Sequence, residues 1–521
     1  MLAQTEIHTR CIDDRHFQYR VYYPTNRIEI SDILKVCQQD GAPIFPVSSG
    51  NNWGYGAATA PDVGTSRIMN LSQMPGVIDF DPEHGLLTFG PGLTQQGLYE
   101  YLTEHNYPYM TPTNGAGPHG NILGNLLERG FGLTPIHDHA EALLSLKAVL
   151  PDGSYYQSSL GAAGFEKLDR RYKWGVGAHL DTLFTQSNFG VVYEATIRLA
   201  KTPDHLEVFS VGIPQYRLGA CLEVIREYYT TYSGMVSGVN FMNARRMLAM
   251  RTNYRATEDR LLTDAEVKEK AQEYNLDDWT IMGSIYAPKP VAKAIRKDLR
   301  RKLRAVGTRP KFIDSGRLKT LNRWKSLAQR MLPIDVGMLN ESFAILQGKP
   351  SNIGQNLCYT LRNLKPEERH HHPLRDNTGL LWFAPLIPFE PKALLHYIHT
   401  VEEECTRTGI EPLITLTTLS GSVVSSTVPI LYRKDEGAEA VEVANRTYTK
   451  LLHACAKQGV FPYRLPVTHQ EEFTKRLKGT PLAQVIKQAL DPQQILAPGR
   501  YLPIEKEQAT HSSKDQLRVV L

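Results

Sequence analysis

Four short segments of the 521-residue chain combine residue types that do chemistry. Residues 47–56, VSSGNNWGYG, follow an apolar strand pattern and carry glycines at 50, 54 and 56. Glycine lets backbone approach a ligand closely, and successive N–H groups in such a turn form a concavity that binds phosphate oxygens without a lysine. The segment suits a pyrophosphate cradle, and alone it also suits a plain turn, since glycine turns after strands are common. Residues 115–120, GAGPHG, satisfy G-x-G-x-x-G, but the internal proline and the preceding YPYMTPTN argue against an NAD fingerprint. Those glycines remain able to approach a different cofactor. Residues 124–139, GNLLERGFGLTPIHDH, gather Glu128, Arg129, His137, Asp138 and His139. In an extended chain His137 and His139 point to one side, as two metal ligands would, yet no third ligand is apparent. A satisfied polar cluster or an acid–base residue are the other readings, and no metal is expected. Tyr463 and Arg464, in VFPYRLP, are two donors able to stabilise a phenolate or carboxylate, or else one buried tyrosine and one surface arginine.

The elements that must position these residues are α/β in texture. Ile30, Ile33, Leu34 and Cys37 recur at helical spacing with Gly41 as a stop, and APIFPVSS then reads as a buried strand. A second helix follows Thr94 as N-cap, with Leu98, Tyr101, Leu102 and His105 on one face. Near Lys201-Thr-Pro-Asp204 the texture changes, and strand candidates at 279–287, 379–387 and 411–418 alternate with long helical patterns. Val291, Ile295, Leu299 and Leu303 mark the buried stripe of a basic helix whose charged faces are solvated. Residues 365–377, KPEERHHHPLRDN, read as an exposed loop. A helix carrying Ala444, Tyr448, Leu451, Leu452 and Cys455 ends at Gly459. A last helix presents Leu482, Val485, Ile486, Ala489 and Leu490, and a polar tail starts near residue 504.

Length and composition bound the function. One core stops growing at roughly 250–300 residues, so two domains are expected. Hydrophobic residues at 41% and charged residues at 22% exclude a disordered or fibrous chain. Fifty-nine Lys and Arg against 54 Asp and Glu leave too small an excess for a nucleic-acid partner. Six scattered cysteines without C-x-x-C spacing fit a reducing compartment, the N-terminus lacks the apolar run of a secretory signal, and the uncharged stretch Pro412 to Tyr432 is too rich in Ser, Thr, Gly and Pro to span a membrane. It reads as strands joined by a turn, and a cytoplasmic protein is expected.

Taken in order, VSSGNNWGYGAA, GPGLT, GNLLERGFGLTPIHDH, LFTQSNFGVV, GLLWFAP, FPYR and DPQQILAPGR resemble the vanillyl-alcohol oxidase and 4-cresol methylhydroxylase family of flavoproteins, from about residue 20 to 502. The resemblance implies an α+β, two-domain, PCMH-type FAD-binding fold with an inserted α+β substrate cap. Residues 1–203 would form the first part of the FAD-binding domain, 204–459 the cap, and 460–521 the return. It further implies FAD contacts from Ser48, Ser49, Gly50, Asn51, Asn52, Pro91, Gly92, Gly124, Asn125, Thr134, Val191 and the 497–500 stretch with Arg500. A phenol would be held by Tyr55, Tyr463 and Arg464, with Asp138 as acid–base carboxylate and a homodimer as the assembly.

That set makes physical sense. A para-alkylphenol loses benzylic hydride easily only when its ring oxygen is ionised, and lowering a phenol pKa from about 10 by three units takes about 4 kcal/mol. Arg464 and two tyrosine hydroxyls can supply it. Flavin N5 would take the hydride, and Asp138 would help water add to the quinone methide or accept a proton from it. Where family members attach flavin covalently this chain has Leu380, Pro412 and Asn51, so FAD is expected to be noncovalent, with O₂ or an electron carrier as acceptor. Ile136 and His137 replace an aromatic residue and a glycine of close relatives, which implies a changed pocket. Two further readings stay open: a flavin enzyme for a non-phenolic alcohol or amine in secondary metabolism, and a non-catalytic FAD-fold or metal-binding protein centred on His137, Asp138 and His139.

Overall fold

The computed structural model describes residues 3–61, 66–254, 260–323, 336–362 and 364–504, so the polar tail beyond 504 lies outside the described residues. The first two hundred residues build two sheets. In the first, β1 (Gln4–Thr9), β2 (His16–Tyr22), β3 (Ile44–Val47) and β4 (Arg67–Asn70) lie in the order β1-β2-β4-β3, with β4 parallel to both neighbours. Parallel strands need a crossover, and the helix Arg27–Asp40 supplies it. Asn26 caps its start by accepting from Ile28 N and Glu29 N, Gly41 at φ 63° ends it, and Ile30, Ile33, Leu34 and Cys37 face the sheet. The chain returns to this sheet near its end: Ile44 N donates to Ile495 O at 2.8 Å and Ala497 N to Ile44 O at 2.9 Å.

The second sheet is antiparallel, with β5 (Val77–Asp81), β6 (Leu86–Phe89), β7 (Leu143–Val149), β8 (Tyr155–Gln157) and β9 (Val191–Arg198) in the order β5-β6-β9-β7-β8. The helix Gln95–Glu104 packs Leu98 and Leu102 on it, and Thr94 Oγ1 accepts from Gly97 N at 3.1 Å. His105 is exposed rather than on the buried face, because the helix ends one residue earlier and His105 is its cap.

From residue 206 a third, nine-stranded sheet takes over. It comprises β10 (Leu206–Ile213), β11 (Asn240–Asn243), β12 (Trp279–Tyr286), β13 (Lys311–Asp314), β14 (Thr378–Phe383), β15 (Pro385–Pro388), β16 (Thr415–Thr418), β17 (Val423–Arg433) and β18 (Phe461–Pro462), in the order β13-β10-β12-β11-β16-β17-β15-β18 with β14 also on β17. Side chains alternate across a strand. Phe241, Ile281, Leu416 and Val428 therefore join the core under the helices Leu218–Thr231, Lys289–Ala305, Pro391–Thr408 and Ala438–Ala456. Their neighbours Asn240, Met242, Met282, Thr415, Thr417 and Thr427 line a cavity on the other face.

Several expectations shift. The cap sheet runs three residues past 459, because Phe461 and Pro462 pair with β15. On the basic helix the buried stripe uses Ala292 in place of Val291, which is 37% exposed. On the last helix, Leu482–Leu490, Leu482 is exposed and the buried residue is Lys487, which ion-pairs with Asp491 at 2.6 Å and donates to the carbonyls of Asn188 and Leu496. The triple-histidine loop is anchored, with His370 Nδ1 2.6 Å from Asp376 and the His372 ring edge-on to Trp53. All six cysteines are buried and unpaired. No helix among the described residues is long and apolar enough to cross a membrane.

Candidate active site

Two cavities adjoin, one of about 420 Å³ between the N-terminal glycine loops and the cap sheet, and one of about 200 Å³ walled by the first two hundred residues and the C-terminal return. They share Asn51, Asn52, Tyr55, Asn114, Ala116, Asn125 and Arg464 as a common wall.

Tyr55, Tyr463 and Arg464 all line the larger cavity. Tyr55 follows Gly54, whose φ of 74° and tight fit admit no side chain: a Cβ there would lie 2.5 Å from Trp382 Cδ1. Val467 N donates to Tyr55 O at 2.8 Å, fixing the glycine loop against the segment that carries the other two residues. Tyr463 follows β18 and is held by its N–H to Ala384 O at 3.3 Å and by Gln186 Nε2 donating to its carbonyl at 2.9 Å. The Arg464 guanidinium carbon lies 5.1 Å from the Tyr55 ring centroid and 5.9 Å from that of Tyr463. Burial, reinforced by Tyr463 and opposed by Arg464, pushes the Tyr55 phenol well above its ordinary pKa, so it stays a donor. Three groups from chain segments some 400 residues apart thus converge as a neutral donor, a second phenol and a cation.

The smaller cavity is lined by Ser48, Ser49, Gly50, Asn51, Asn52, Pro91, Gly124, Asn125, Val191 and Arg500. Gly50 has φ 72°, and a Cβ on Gly124 would sit 2.5 Å from Ser48 Oγ, so the loop and the helix Ile122–Leu127 approach as closely as backbone allows. Ser49 Oγ and Ser187 Oγ are buried on this wall without a partner. Glycine-permitted turns, unsatisfied hydroxyls and a partly buried arginine make a donor set that fits a pyrophosphate. Gly92 and Thr134 are not on the wall. A Cβ on Gly92 would lie 2.0 Å from Met74 O, so the two backbones pass closely there, and Thr134 is buried beneath the helix Ile122–Leu127.

Asp138 lines neither cavity. Its Oδ1 accepts from Ala140 N at 3.0 Å and Glu141 N at 3.1 Å, a turn within its own segment. His137 and His139 also diverge. His137 Nε2 lies 3.1 Å from Leu419 O and 3.0 Å from Tyr229 Oη, tying the loop to the cap. His139 Nδ1 is 2.5 Å from Asn125 Nδ2, and burial, with His137 adding, holds its pKa down to about 3. Among the described residues no group of three His, Cys, Asp or Glu is placed to hold a metal.

Glu128, singled out in sequence only as a member of the 124–139 cluster, has partners that the sequence did not indicate. Its carbonyl accepts from Arg464 Nε and Nη2 at 3.2 and 2.9 Å, and its carboxylate lies 3.7 Å from Arg464 Nε and is paired with Arg500. Glu128 therefore sets the positions of the two arginines at the junction of the cavities. One signal was available: it caps the C-terminus of a short helix, where the dipole disfavours an acid, so it needs a cation from elsewhere.

A family model described as an FAD binding domain matches residues 19–159. The chain is 27% identical over 487 residues to the 1'-carboxy-chondrochloren decarboxylase of Chondromyces crocatus, covering 92% of this chain and 89% of that one. It is 24% identical over 482 residues to the 4-cresol dehydrogenase [hydroxylating] flavoprotein subunit of Pseudomonas putida, covering 91% and 85%. Among solved structures, that of p-cresol methylhydroxylase with substrate bound superposes with a TM-score of 0.80 at 22% identity, over 92% of this chain and 88% of that one. The fold is the α+β PCMH-type flavoprotein fold, the cofactor is FAD, and the chain is an enzyme of the FAD-dependent oxidoreductase class.

Proposed function

We propose that this PCMH-fold flavoenzyme oxidises a para-substituted phenol at its benzylic carbon through a quinone methide. The observation that carries the reading is the convergence of Tyr55, Tyr463 and Arg464 on one cavity that adjoins the FAD-binding cavity. In the proposed arrangement the ring oxygen sits among these three groups. Arg464 stabilises the phenolate by charge, Tyr55 donates a hydrogen bond because burial keeps it neutral, and Glu128 holds the guanidinium in place. Bound FAD, held noncovalently by the Ser48–Asn52 loop with Pro91, Gly124, Asn125, Val191 and Arg500, supplies the acceptor for the hydride that leaves the benzylic carbon. Met242, Met282, Phe131 and Trp382 on the cavity wall exclude water and so strengthen the pairing of phenolate and arginine.

The fate of the quinone methide has a second reading beside hydration or desaturation. The Chondromyces relative is named for a carboxylated compound and its decarboxylation. On the described wall of the larger cavity the ionisable side chains are Tyr55, Tyr463, Arg464, Arg246 and Cys358. Burial pushes Cys358 up to about 12, leaving a neutral thiol, so this wall offers phenols and cations rather than a carboxylate or imidazole to activate water. Decarboxylation asks for neither: the bond to the carboxylate breaks, its electron pair becomes the new C=C bond as the ring returns to phenolate, and CO₂ leaves. This observation favours carrying the decarboxylating reading over to the chain.

Anaerobic mixing of holoenzyme with para-alkylphenols, benzylic alcohols and amines tests the function. Bleaching of the flavin by phenols supports the proposal, and bleaching by non-phenolic alcohols or amines alone replaces it with the competing reading.

A further inference from the structure

Two consecutive arginines begin the cap helix Ala244–Arg251, and they have opposite surroundings. Arg245 is paired with Glu411 at 2.5 Å and Asp264 at 2.8 Å. Arg246 is only 8% exposed, its Nε and Nη1 are buried without a hydrogen-bond partner, and no carboxylate among the described residues pairs with it. Burial, partly offset by the neighbouring Cys358 thiol, pulls its pKa down to about 10, so the guanidinium remains charged at neutral pH. A buried, unpaired cation is among the costliest arrangements a fold can hold, and arginine is almost never fully buried unless paired.

The backbone that carries the side chain is firmly placed. Asn243 Oδ1 accepts from Arg246 N at 3.0 Å and from Ile414 N at 3.2 Å, while Asn243 Nδ2 donates to Pro412 O at 2.8 Å, locking the start of the helix to the cap sheet. Arg246 lines the cavity that holds Tyr55, Tyr463 and Arg464, among the apolar Met242, Met247 and Met250. Three more groups on that wall are likewise buried without partners: Trp53 Nε1 and Thr415 Oγ1, which can donate, and Gln355 Oε1, which accepts. A buried cation whose own N–H groups are unsatisfied, facing a cavity, calls for an anionic acceptor that arrives with the ligand. One guanidinium suits the single charge and planar fork of a carboxylate better than a phosphate dianion.

We infer that Arg246 is the docking residue for a carboxylate on the substrate's alkyl chain, so that the enzyme takes a phenol at one end of the cavity and a carboxylic acid at the other. The inference rests on the phenol reading for the first end only. Its role is binding and orientation: the carboxylate pairs with Arg246 while the phenol oxygen pairs with Arg464, and the benzylic carbon is held between two fixed cations.

Equilibrium binding to FAD-loaded enzyme, with the flavin reduced beforehand so that no turnover intervenes, tests the inference by calorimetry. The probes are ω-(4-hydroxyphenyl)alkanoates of increasing chain length, their primary amides, and the same pairs lacking the ring hydroxyl. At the best-fitting length the acid is expected to bind about ten- to a hundredfold more tightly than its amide, the range of a hydrogen bond to a charged group. Arg246→Met should bring that ratio close to one, and Arg246→Lys should keep part of it, which separates the lost charge from a damaged fold. The inference is overturned if no chain length favours the acid in the unaltered enzyme, if Arg246→Met leaves the ratio intact, or if a phosphonate of matching length outbinds the acid. The phenol reading fails separately, if removing the ring hydroxyl changes nothing while the acid-to-amide ratio persists.

Discussion

Replacing Arg464 with methionine should raise the pKa of a phenol bound in the larger cavity. Two of the guanidinium N–H groups are spent on the Glu128 carbonyl at 2.9 and 3.2 Å, which fixes the plane and leaves the remaining donors for the ligand. A unit charge about 4 Å from the phenolate oxygen is worth about 4 kcal/mol at an effective dielectric constant of about 20. The Glu128 carboxylate, 3.7 Å from Arg464 Nε, opposes this, but it is shared with Arg500. Taking half of the field as cancelled leaves about 2 kcal/mol, or about 1.5 pKa units. The assay is the absorption spectrum of bound 4-hydroxyacetophenone against pH, since its anion and neutral form absorb at different wavelengths and it has no benzylic hydride to lose. In the unaltered enzyme the bound phenol should ionise well below its solution pKa, and in Arg464→Met the midpoint should climb by about 1.5 units. Equal midpoints in the two proteins would refute the reasoning.

Gly54→Ala puts a Cβ 2.5 Å from Trp382 Cδ1 and 3.1 Å from Leu380 Cγ at a φ of 74°, so it should displace Tyr55. We expect phenol affinity to drop about tenfold or more and stability by about 1–3 kcal/mol, with FAD content unchanged, as read by calorimetry, denaturant titration and flavin absorbance. His139 has a folded pKa depressed to about 3, below its unfolded value of about 6.5. The unfolded state therefore binds the extra proton, so stability is full above about pH 6.5 and declines by up to about 1.4 kcal/mol per pH unit towards pH 3. Urea midpoints between pH 7 and 5 should show this slope, and His139→Gln should reduce it. If Leu380 and Pro412 stand where the family resemblance implies attachment residues, acid precipitation should leave the flavin in the supernatant, and a pellet that stays yellow would count against noncovalent binding.

The elements around the site were legible because each rests on local chemistry. The glycines of 50–56, the cap at Thr94 and the stops at Gly41 and Gly459 act within a few residues of themselves. The hairpin of β16 and β17 is announced by its Ser-Gly-Ser turn between β-branched runs. What sequence could not give is partnership across distance. Glu128 meets Arg500, 372 positions away, and its carbonyl meets Arg464, 336 positions away. Asp138 sits in a motif that implies acid–base work, yet its nearest donors are its own chain neighbours, which only the backbone path reveals. Arg246 and Arg245 are adjacent and alike in sequence, and only packing makes one an ion pair and the other an unpaired charge. The last helix misled because periodicity marks an apolar face without saying what covers it, while the buried Lys487 is explained only by Asp491 and two distant carbonyls.

The most direct measurement mixes the oxidised holoenzyme, without oxygen, with a para-alkylphenol and in parallel with its O-methyl ether, and follows the flavin's visible absorption. The ether keeps the benzylic hydrogens and the shape but cannot become an anion. Reduction by the phenol, with the ether at least about a thousandfold slower as a lost phenolate worth about 4 kcal/mol would give, is the predicted result. Comparable bleaching by both compounds would contradict an ionised oxygen between Tyr55, Tyr463 and Arg464 as the source of the reaction.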